Sequence, residues 1–143
     1  VTKAEFREKH SELIEYYQYI EMHLKGICAE ILADQERDWY DRLNDYESDP
    51  FGKLVMQIKS LQSQKQMALF SDKDFEALEN LRKTRNYWVH QCFCGETPVI
   101  FRKDSVRSPK HAQELSCALD DAIDWDKRIT NVMRSLRNLE PLA

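Results

Sequence analysis

Glycine and proline are scarce in this chain, at three and four among 143 residues. With so few points at which the backbone can turn sharply, a plan of many short strands is excluded and a few long elements are expected. Cysteine is sparse as well. Cys28, Cys92, Cys94 and Cys117 are too few to staple a chain of this length as a disulfide scaffold, so the fold must be carried by its own core. No stretch approaches the ~18 consecutive apolar residues of a membrane-spanning helix, and nothing at the start reads as a signal peptide. The expectation is an intracellular, cytoplasmic protein with no membrane partner.

What is present suits a globular protein. Hydrophobic residues make up 42% and charged residues 32% of the chain, a balance that excludes disorder. The length fits a single domain spanning residues 1–143. The net charge of −4 is unevenly spread. Residues 1–81 carry ten Lys and Arg against seventeen Asp and Glu, whereas residues 82–110 carry seven against two. A basic island therefore sits in an acidic chain. It reads either as a solvated stretch with stray charges or as a local footprint for phosphates.

The apolar residues follow helical spacing. Phe6, His10, Leu13, Tyr17, Ile20, Leu24, Ile27 and Ile31 alternate by four and three, which predicts one buried face on a long first helix. The polar, acidic stretch from Asp34 predicts a short helix, anchored by Trp39, Tyr40, Leu43 and Tyr46 and stopped at Asp49-Pro50. "FGKLVMQIKSLQSQ", with Leu54, Ile58 and Leu61 on one stripe, predicts a second core helix. A third begins at Ser71-Asp72-Lys73-Asp74, where a capping serine stands three residues before an acid, and its period runs through Phe75, Leu78, Leu81 and Trp88 to His90. Gly95 and Pro98 are expected to end it. "PVIFRKD" is the one segment that reads as extended. The last helix opens at Ser108-Pro109 and carries Leu115, Ala118, Ala122, Trp125, Ile129, Val132, Leu136 and Leu139 on its seam. The expected fold is all-α: an up-down bundle of four to five helices, two long ones framing shorter ones, with a short extended loop after the third core helix.

Two groups of residues invite a chemical reading. The order His90-x-Cys92-x-Cys94 suggests a metal site, but alternate positions point about 200° apart on a helix and the C-x2-C spacing of zinc sites is absent. The expectation is therefore no metal and no cofactor. The other group is "RNYWVH", residues 85–90, inside the basic island. Asn86 and His90, four apart, would share a helical face, and Arg82 would extend it by a turn. Arg85 would lie about 140° from His90 on a regular helix, too far for both to reach one atom. Either the helix is distorted between them, or the arginine curls round, or a second chain completes the site. An arginine and a histidine near a helix end also commonly serve as a cap, a surface charge or a satisfied pair.

Arg85-Asn86-Tyr87-Trp88-Val89-His90 resembles the R-x4–6-H motif of HEPN domains, including the polar residue after the arginine. The surrounding order is similar too: a long first helix, a helix opening on "FGKL", a leucine-rich helix leading into the motif, and a long closing helix. The resemblance implies a helical bundle that forms a homodimer, with the motifs of two protomers meeting in a cleft. It also implies a metal-independent endoribonuclease of a toxin–antitoxin or defence system, leaving a 2′,3′-cyclic phosphate. On that reading His90 is the acid/base, Arg85 the stabiliser of phosphate charge and Asn86 their orienting partner. Arg82, Lys83, Arg102, Lys103 and Arg107 would hold the RNA backbone. Other members of the family are non-catalytic modules that bind a protein partner, such as an antitoxin or regulator, or a nucleotide, and the acidic face Glu5, Glu8, Glu12 and Glu15 suits that alternative. In HEPN toxins controlled by a nucleotidyltransferase, a tyrosine commonly stands two residues after the histidine. Here that position is Cys92, which sets this chain apart from that mode of control.

Overall fold

A computed structural model describes residues 1–32, 51–93, 101–102, 105–106 and 108–143. The all-α expectation holds. Helices α1 (Lys3–Leu32) and α4 (Pro109–Leu136) are the long framing pair, and α2 (Phe51–Gln64) and α3 (Asp72–Asn86) lie between them in sequence. Strand β1 (Phe101–Arg102) pairs antiparallel with β2 (Ser105–Val106), with Phe101 opposite Val106. This minimal hairpin also ties down the N-terminus, since Thr2 bridges to Ser105 and the Val106 amide donates to the Val1 carbonyl at 3.1 Å. The short helix expected near Trp39 and the stop at Gly95 and Pro98 lie outside the described residues.

Each helix forms where its apolar stripe meets a partner. From α1, Phe6, Leu13, Tyr17, Ile20, Leu24 and Ile27 are buried. They pack with Leu54 and Ile58 of α2, Leu78 and Leu81 of α3, and Leu115, Ala122 and Ile129 of α4. Burying each such side chain contributes roughly 1.5–3 kcal/mol, which is why seam spacing outweighs the modest propensity of the many β-branched and aromatic residues. The most extensive pairing is α1 against α4. It is pinned by the His23 ring, whose Nδ1 lies 2.7 Å from Asp126 Oδ1 and 3.1 Å from Thr130 Oγ1, and by Arg137 Nε donating to Glu30 at 3.1 Å.

The helix starts follow from local chemistry. Ser71 Oγ accepts from the Asp74 amide and Asp74 Oδ2 accepts from the Ser71 amide, completing the predicted capping box of α3. Asp74 also accepts from Arg128 of α4 at 2.8 Å, so this cap fastens α3 to α4. Ser108 stands at the cap position of α4 with Pro109 behind it, but its hydroxyl makes no capping bond. At the other end of α4, Leu139 falls beyond the helix and is exposed, a correction to its expected place on the seam. The helix ends first because Asn138 turns into the left-handed region.

Candidate functional site

Arg82, Arg85 and Asn86, at positions i, i+3 and i+4 of α3, share one face and line a groove of about 510 Å³ between α2 and α3. Gly52 at the start of α2 makes room for it. A Cβ there would lie 2.7 Å from Arg82 Cδ, so the arginine stem crosses α2 where a side chain is missing. Arg82 is held by Glu79, Nε to Oε2 at 2.9 Å and Nη2 to Oε1 at 2.5 Å. This paired geometry lowers the Glu79 carboxyl below its ordinary range and raises the guanidinium.

Arg85 reaches deeper. Its Nη2 lies 3.6 Å from Glu21 Oε2 on α1, its Nη1 donates to Asn86 Oδ1 at 3.2 Å, and its guanidinium stands 6.0 Å from the centre of the Phe51 ring. Its Nε is buried and finds no partner. Nearby, the Tyr17 hydroxyl is also buried without a partner. Burial pushes its pKa up, the Asp121 carboxylate adds to the rise and Arg85 opposes it.

His90 is presented differently. The regular helix ends at Asn86 and a π turn, Tyr87–Gln91, follows. In an α-helix the Cys92 amide would bond to the Trp88 carbonyl. Here it bonds to Tyr87 at 2.9 Å, one residue further back. The freed Trp88 carbonyl accepts instead from His10 Nε2 at 2.8 Å and from the Cys92 thiol at 3.2 Å. Trp88 is buried among Phe6, His10, Tyr87 and His111, so this turn is built into the core. His90 on its outer side is exposed, flanked by exposed Val89 and Phe93, and its ring makes no hydrogen bond or ion pair among the described residues.

The expectation that Asn86 and His90 share a face is therefore corrected. Asn86 lines the α2–α3 groove with Arg82 and Arg85, whereas His90 is absent from its walls, because the extra residue in the π turn takes His90 off the i+4 stripe. Of the predicted backbone-binding residues, Lys83 is exposed but not part of this groove. Lys103, Arg107 and the Arg102 side chain lie outside the described residues. Cys92 is buried while His90 is exposed, so these two face apart. Among the described residues no group of three His, Cys, Asp or Glu stands in position to hold a metal.

Several residues at the site escaped the sequence reading. Lys53 and Lys59 of α2 line the same groove, Glu21 and Glu79 pair its arginines, and His10 holds the π turn. Only His10 left a signal, as a polar residue at a seam position of α1. Chemically, Arg85 and Asn86 offer donors for a phosphate oxygen and His90 offers an accessible imidazole, but one chain does not bring them into a common groove. No protein-family model, no curated protein and no solved structure matches this chain.

Proposed function

We propose that this chain is a HEPN-type helical domain acting as a metal-independent endoribonuclease, with a site completed between two copies. The observation that carries this reading is the π turn between Arg85 and His90. It leaves the arginine in a walled groove and lifts the histidine onto an open surface, with exposed Val89 and Phe93 beside it as apolar ground for a second protomer. A π turn is an uncommon feature that recurs at functional sites.

In the proposed reaction an imidazole, His90, takes the proton from an RNA 2′-hydroxyl as its oxygen attacks the adjacent phosphorus. The bond from phosphorus to the 5′-oxygen breaks, that oxygen is protonated, and a 2′,3′-cyclic phosphate and a 5′-hydroxyl end result. Arg85, oriented by Asn86 and Glu21, balances the charge developing on the phosphoryl oxygens. Arg82, Lys83, Arg102, Lys103 and Arg107 would supply backbone contacts, and a toxin–antitoxin or defence setting would supply a protein partner.

The test is RNA cleavage in EDTA by wild type, His90→Ala and Arg85→Ala, followed by an equal mixture of the two variants. Each variant alone should be inactive. The mixture should recover part of the activity, because a mixed dimer regains one intact Arg85 and His90 across its interface. Undiminished cleavage by both single variants would reject the assignment.

One observation favours a second reading, a non-catalytic HEPN-like module. Arg85 is partly buried and already paired with Glu21, as a purely structural arginine would be. A wild-type chain that cuts no RNA but binds a protein or nucleotide with 1:1 stoichiometry would support that alternative.

A further inference from the structure

The α2–α3 groove reverses the sign of the molecule. The chain carries a net charge of −4, yet Lys53, Lys59, Arg82 and Arg85 converge on this groove against a single lining carboxylate, Glu79. Lys53 and Lys59 are exposed, and six residues of helix separate them by about 9 Å along α2, while Arg82 and Arg85 stand about 4.5 Å apart along α3. The cations thus form two rows on facing walls. Between them Phe51 and Phe75 make a buried floor and Met56, 73% exposed, a protruding apolar rim.

We propose that this groove binds the phosphodiester backbone of a single nucleic-acid strand, and that Glu79 is a displaceable clamp holding Arg82 until a phosphate replaces it. Two rows of cations on a wall of this size suit one or two successive nucleotides, and a duplex is far too wide to enter. The clamp is weak enough to open. Glu79 and Arg82 lie three apart on one helix with side chains 47% and 32% exposed, and an ion pair so open to solvent contributes little. The same two-pronged fork that Arg82 gives to the carboxylate fits two phosphate oxygens. Low surrounding charge competition and aligned cations then favour a ligand carrying several phosphates over a lone anion. The choice of nucleic acid over another polyanion rests on the nuclease reading of Arg85 and Asn86, whereas Lys53, Lys59 and Glu79 belong to no part of that reading.

The test measures binding without cleavage. A fluorescent single strand of about ten 2′-O-methyl ribonucleotides, which has no free 2′-hydroxyl to attack, is titrated with the chain at several salt concentrations. Lys53→Ala/Lys59→Ala should bind at least tenfold more weakly at low salt. Its salt dependence should be shallower by about 1.4 in logarithmic slope, at roughly 0.7 per lost phosphate contact on a single strand. Glu79→Gln should bind a few-fold more tightly, and Lys110→Ala, on the opposite side of α3, should match wild type. Absence of wild-type binding, an unaltered double variant, an equal loss in Lys110→Ala, or poly-glutamate competing as well as poly-uridylate would each overturn the groove proposal. Unchanged or weaker binding by Glu79→Gln would overturn the clamp. A chain that binds here yet cuts no RNA keeps the groove and loses the nuclease reading. One that cuts RNA with a neutral double variant does the reverse.

Discussion

The two halves of the Arg85–His90 motif differ in how they are held. Arg85 sits within a regular helix, with three named partners on two elements and one orphaned nitrogen inside the protein. His90 sits on an irregular turn whose backbone is anchored by a side chain from α1, while its own ring meets nothing. The arginine is preorganised and its surroundings were shaped around it. The histidine is displayed, and its surroundings are supplied from outside. A motif divided this way separates binding from accessibility: one member contributes to the fold, the other adds nothing to it.

That contrast is open to a direct break. Arg85→Ala and His90→Ala should both lower RNA cleavage by a hundredfold or more, but they should part in stability. Removing Arg85 leaves Glu21 without its partner and uncovers Phe51, a loss of about 1–2 kcal/mol in urea unfolding. Removing the exposed His90 should change stability by less than about 0.5 kcal/mol. Equal destabilisation by the two would erase the distinction.

The anchoring of the turn comes next in size. His10→Ala removes the Nε2 donor from the Trp88 carbonyl and leaves the Cys92 thiol as its remaining side-chain donor, a destabilisation of about 1–2 kcal/mol. Hydrogen exchange at the Cys92 amide should accelerate with it, and an unchanged exchange rate would mean the turn holds itself.

The far end of α3 gives a milder effect with a defined pH dependence. Asp74 is held below the ordinary carboxylate range by its bonds to Arg128 and to the Ser71 amide. Its native value is depressed, so its stabilising contribution is complete above the unfolded-state value and is lost as pH falls through the native one. Asp74→Ala should therefore cost about 1 kcal/mol at pH 7. The gap in Tm from wild type should narrow below about pH 4 and close under stronger acid. A gap that stays constant down to pH 2 would point to packing instead of charge.

The smallest change concerns the Arg85 half. Tyr17→Phe deletes a hydroxyl that is buried without a partner, so stability should hold or rise by up to about 1 kcal/mol. A loss larger than that would reveal a bond made by the hydroxyl in solution.

The parts of the fold governed by local rules were legible in the residues. The α2 stretch predicted from "FGKLVMQIKSLQSQ" matches Phe51–Gln64, and the Ser71–Asp74 box opens α3 as expected. A second box went unread, although Thr2-x-x-Glu5 carries the same signature and closes in the same way. The π turn was hidden for a physical reason. Apolar periodicity assumes about 100° per residue, and Trp88 stays buried under either winding, so nothing in the pattern marks the change. The groove was hidden for another reason: charge summed along the chain assigns Lys53 and Lys59 to an acidic half, and only packing of α2 on α3 sets them beside Arg82.

A helix with one residue too many in a turn is a site where chain length and chain direction come apart. Deleting a single residue between Tyr87 and Gln91 would let the ladder return to α geometry, and everything after it would shift by about 100° around the axis. Trp88 would then lose its place in the core or His90 its place on the surface, but α1, α2 and α4 need not move. Insertions and deletions here would thus act as a rotary adjustment of one side chain against a fixed scaffold. A family motif that admits four, five or six residues between its arginine and its histidine is what selection working through such an adjustment would leave behind.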